Sequence, residues 1–105
     1  MGDITPFELL TQRKSVPVER LREHIFTALN NPSLDMALDN FIVCPSPEAP
    51  QTHVTVLVLK EDADLEDKFI ICGILASRAT ACGYDIASLI PGTPATNMIL
   101  RRRNP

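Results

Sequence analysis

Apolar residues recur at steps of three and four over 65–82. Leu65, Phe69, Cys72, Leu75, Ala79 and Cys82 form one stripe, and Ile70, Ile71 and Ile74 widen it. This spacing predicts one long helix that is apolar nearly all round at its middle, and therefore covered on two sides. Asp64 is suited to cap its start and Gly83 to stop it. The length of the run alone would also allow a strand over 69–76, but the caps and the periodicity on both flanks favour helix.

The pattern on either side is mixed. Thr5, Pro6 and Glu8 open a short helix over 6–13 by capping-box rules. Pro17 starts a second, with Val18, Leu21, Ile25, Ala28 and Leu29 on one face and Glu19, Arg20, Arg22 and Glu23 on the other. Asn30, Asn31 and Pro32 end it, and Ser33 caps a further turn through Leu38. Strands are expected at 41–44, 53–60, 84–90 and 97–103. The segment 53–60 is apolar on both faces, which places it in the middle of a covered sheet. The helix that follows it can serve as a crossover, which would make 53–60 and 84–90 parallel and the connection right-handed. The result is a small α+β domain of two or three layers over 1–105, with N-terminal helices, a sheet of about four strands and one long buried helix at 65–82.

Composition narrows the function classes. A chain of 105 residues is expected to form one domain with a modest core. Nine prolines against four glycines imply stiff, defined turns. No apolar run approaches the roughly 18 residues of a membrane span, and the N-terminus lacks a secretory pattern, so a soluble cytoplasmic protein is expected. Three cysteines, Cys44, Cys72 and Cys82, suit reduced thiols in that compartment. A net charge of −3 argues against general attraction to nucleic acid or anionic membranes.

No motif gathers a catalytic or metal-binding constellation. His24, His53 and the cysteines lack metal-ligand spacing, so no metal and no cofactor are expected. Cys72 and Cys82 read as core-filling residues. Cys44, at a strand end, has a route to solvent, and His53 can approach it across a hairpin as a base, although neither has an evident orienting partner. Asp62, Asp64 and Glu66 resemble the start of a calcium loop, but Asp67 and Gly73 hold the positions that need glycine and glutamate. Acids before a helix also complement its dipole, which is the simpler account. The segment 92–96 has no lysine for a phosphate, and no nucleophile-elbow pattern is present.

Two surface features remain. Arg101, Arg102 and Arg103 concentrate charge near the chain end, suited to an acidic protein partner or, as an alternative, to a nucleic acid. The loop 44–50, with Pro45, Pro47, Glu48 and Pro50, is stiff and exposed, either a plain connector or a recognition surface.

Arg13, Lys14, Ser15 and Val16, followed by an amphipathic helix, Asn31-Pro32-Ser33 and Phe41-Ile42-Val43, resemble the opening of flavin-dependent nitroreductases, and 74–84 is similar to that family's central helix. The resemblance implies that Arg13, Lys14 and Ser15 grip a flavin phosphate. This chain is much shorter than that family and lacks its further flavin-contacting segments.

With a good core and no convergent polar site, the chain is expected to work by its surface, as a non-enzymatic protein-protein interaction module and a partner of another copy of itself. A minimal flavin-binding protein and a nucleic-acid module using the C-terminal arginines are the alternatives. The two-sided apolar helix in so small a domain is the reason to expect a homodimer.

Overall fold

The structure, a computed structural model, describes residues 14–30 and 40–103. The helices expected at 6–13 and 33–38 lie outside these residues. In chain order the elements are α1 (Val18–Leu29), β1 (Phe41–Pro45), β2 (His53–Leu59), α2 (Leu65–Ala81), β3 (Tyr84–Ile90) and β4 (Ala95–Arg102). The strands form one sheet in the order β1-β2-β4-β3. β2 and β3 run in the same direction, as a helical crossover requires, but β4 is inserted between them, so every paired ladder is antiparallel. The fold is thus a small α+β architecture with two described helices on a four-stranded antiparallel sheet.

Both helices pack on one face of that sheet. Strand alternation sends Val54, Val56, Val58, Met98 and Leu100 toward the helices, where Phe41, Val43 and Tyr84 join them. α1 closes the core with Leu21, Ile25 and Leu29, and α2 with Ile71, Leu75 and Ala79. α1 leans on β1, whereas α2 lies mainly over β3.

The opposite face of the sheet is left open by the described residues. β2 is therefore an interior strand covered on one side only: Leu57 is half-buried and Leu59 is exposed. The long helix is likewise covered on one side, not two. Leu65 and Phe69 are each 68% exposed, because the stripe they share with Cys72 lies about a quarter-turn round the helix from Ile71, Leu75 and Ala79. The apolar arc is wider than the contact it makes.

Local chemistry fixes both ends of α2. The Asp67 amide donates to Asp64 Oδ1 at 2.8 Å and the Asp64 amide to Asp67 Oδ2 at 3.4 Å, a reciprocal capping box. At the far end Gly83 takes φ 84°, and a Cβ there would stand 2.5 Å from the Lys14 carbonyl oxygen, so only glycine fits. The strap 14–17 is laced into that corner. Ser15 Oγ donates to the Gly83 carbonyl at 2.6 Å and accepts from the Arg103 amide at 2.7 Å, while the Val16 amide donates to the Cys82 carbonyl at 2.9 Å.

Candidate functional site

The pleat of β4 separates the three arginines. Thr96, Met98 and Leu100 point to the helices, so Arg102 falls on their side, while Arg101 lies exposed on the open face. Arg103 turns to Asp85, with Nη2 and Nε at 2.7 and 2.8 Å from Oδ1. No common basic face results, and the three side chains have three different environments.

Arg102 joins Pro45 in lining a groove of about 410 Å3, together with Pro17, Val18, Glu19, Arg22, Val43 and Cys44. It runs between the start of α1 and the end of β1. Arg102 Nε is buried and makes no hydrogen bond, and neither Arg102 nor Arg22 forms an ion pair among the described residues. The guanidinium of Arg22 lies 5.0 Å from the centre of the Phe41 ring. Pro47 and Glu48 are exposed on the β1–β2 loop and do not line the groove. That loop is a well-bonded turn: Ser46 Oγ and Thr55 Oγ1 are 2.8 Å apart, and the Ala49 carbonyl accepts from the His53 amide at 2.9 Å.

A second concave surface, of about 370 Å3, is apolar. Leu65, Phe69, Cys72 and Pro91 line it with Lys68 at its rim. It adjoins β3, an edge strand on which Ile86 is 39% and Ile90 60% exposed. Leu65 and Phe69, the two most exposed large apolar side chains of the described chain, both line it, whereas Ile90, opposite Asn97, points to the open face of the sheet. Periodicity exposed the apolar residues but not which part of the arc would stay bare, so this surface was hidden inside a predicted core.

The remaining candidates are placed plainly. Cys44 pairs with Thr55, so His53 is its diagonal neighbour on the open face, but the His53 ring is bonded through Nδ1 to Thr52 Oγ1 at 2.7 Å and not to the thiol. Cys72 is half-buried, and burial raises its thiol pKa, which keeps it protonated and a poor nucleophile. Cys82 is buried. In the acidic run, Asp64 and Asp67 are spent on capping, and Lys60 pairs with Asp62 at 2.7 Å, the hydrogen bond that holds the Asp62 carboxyl below its usual range. No group of three or more metal-ligating side chains is gathered among the described residues. Of the residues suggested for a flavin phosphate, Arg13 lies outside the described chain and the Ser15 hydroxyl is committed to the Gly83 carbonyl and the Arg103 amide. No helix among the described residues is long and apolar enough to cross a membrane. Compared with protein-family models, curated proteins and solved structures, the chain finds no match in any of the three.

Proposed function

We propose that the protein is a non-enzymatic interaction module of the cytoplasm that works as a homodimer and binds a further protein. The observation that carries the reading is the bare apolar side formed by Leu65, Phe69, Cys72 and Pro91 beside an edge strand, β3, whose outer edge is unpaired among the described residues. Its occupant is a second copy of the chain. β3 carries no proline or lysine, and the shift in its register between Ile86 and Ser88 together with Asp85 is its main guard against pairing. Antiparallel pairing of two β3 edges about a two-fold axis would bring the two overlying α2 helices side by side, so that both Phe69 stripes are covered by the same operation. α2 is 17 residues, about 25 Å, long. A side of that length and two layers deep is on the scale of the roughly 800 Å2 per partner of a standard interface. Three free cysteines suit a reducing compartment.

Analytical ultracentrifugation of the purified chain tests this. The wild type is expected to sediment as a dimer at micromolar concentration and Phe69→Glu as a folded monomer, since the exposed Phe69 contributes little to the core. A wild type that stays monomeric at high concentration, or a Phe69→Glu variant that dimerises equally well, overturns the proposal.

A further inference from the structure

The groove lined by Arg22 and Arg102 lies apart from the proposed dimer side and holds an unexplained cost. Arg102 carries a positive charge that cannot be lost at ordinary pH, and its Nε is buried without a partner among the described residues. A buried donor left unpaired is destabilising, and native structures keep few of them. We infer that this groove is a binding site for a carboxylate on an apolar stem, as an acidic side chain in a peptide segment of a partner protein would present it.

Three features select that chemistry. Arg102 and Arg22 supply two guanidiniums on one groove, and a guanidinium matches the two oxygens of a carboxylate. Pro17, Val18, Val43, Cys44 and Pro45 line most of the rest, which suits the methylenes of the stem. Glu19 also faces the groove and repels a doubly charged phosphate more strongly than a singly charged carboxylate. The first turn of α1 has no side-chain cap, so its positive end reinforces the attraction without being its source. A second cleft, of about 350 Å3, gathers Arg20, His24 and Arg78 with Glu23 and Thr27, but these side chains are exposed, or nearly so, and no buried donor there lacks a partner. The inference rests on the interaction-module reading only in taking the ligand to be protein, and it stands or falls independently of the dimer.

The test is an NMR titration of the full chain with a blocked Leu-Glu-Leu peptide, its glutamine counterpart and inorganic phosphate. Saturable shifts of the Val18, Glu19 and Val43 amides are expected with the glutamate peptide and not with the other two. Arg102→Gln is expected to weaken binding about tenfold or more, the loss typical of a charged hydrogen-bonding partner. Arg102→Lys should not restore it, because a point charge lacks the fork, and Arg101→Gln should leave it unchanged. Arg102→Met serves as the folding control: since the guanidinium forms no hydrogen bond or ion pair among the described residues, its melting temperature at neutral pH should not fall. Equal binding of the glutamine peptide, tighter binding of phosphate, no saturable shift with any probe, or full binding by a folded Arg102→Gln variant each overturns the inference.

Discussion

Tyr84 is the single tyrosine of the chain and is 1% exposed, with its hydroxyl donating to the Val16 carbonyl at 2.6 Å. Burial raises its pKa above the ordinary 10.0, and that of Cys72 above 9.0. The folded state therefore holds these protons longer than the unfolded one. Their contribution to stability is complete below pH 9 and is lost as pH rises through the folded-state values. Urea melts at pH 8 and pH 11 should show a clear loss of stability at the higher pH, and Tyr84→Phe should flatten part of that slope while costing about 1 kcal/mol at neutral pH for the lost bond. Absorbance at the tyrosinate band reports this one side chain alone. The placement of Arg102 had a trace in the sequence that reading the arginines as a triplet concealed. Thr96, Met98 and Leu100 alternate into the core, and Arg102 is next in phase.

At the scale of elements, boundaries were legible wherever a residue type has one local job. Pro17, Asp64 and Gly83 mark where α1 starts and where α2 starts and stops. The Asp64 cap is open to a direct check: Asp64→Ala should destabilise the fold by about 1 kcal/mol in chemical denaturation, by freeing the Asp67 amide. A melt indistinguishable from wild type would show that water replaces the cap at no cost. What periodicity did not reveal is orientation. α2 has an apolar arc wide enough for two faces, and only the placement of β3 and β4 beneath it determines that Ile71, Leu75 and Ala79 go inward while Leu65 and Phe69 stay out. Strand order was equally hidden, because the insertion of β4 between β2 and β3 is a long-range pairing with no local signature.

For the whole molecule, the two candidate surfaces lie on different flanks of the sheet, the apolar side by edge strand β3 and the arginine groove by edge strand β1. A dimer joined through β3 would leave both grooves accessible, one on each outer flank, so each copy keeps its own. Phe69→Glu should then abolish association without altering peptide titration, and Arg102→Gln the reverse. The lacing of Ser15 to Gly83 and Arg103 has a separate consequence for how the chain can be connected. Residues 15 and 103 are neighbours in space, so the linear order of the elements is one of several cyclic orders that give the same packing. A rearranged gene in which 103 leads through a short linker into 14, and the polypeptide opens at the exposed Pro47 and Glu48, should keep the same buried tyrosine. Loss of that tyrosine's protection would mean that the core cannot form once the strap is joined to 103.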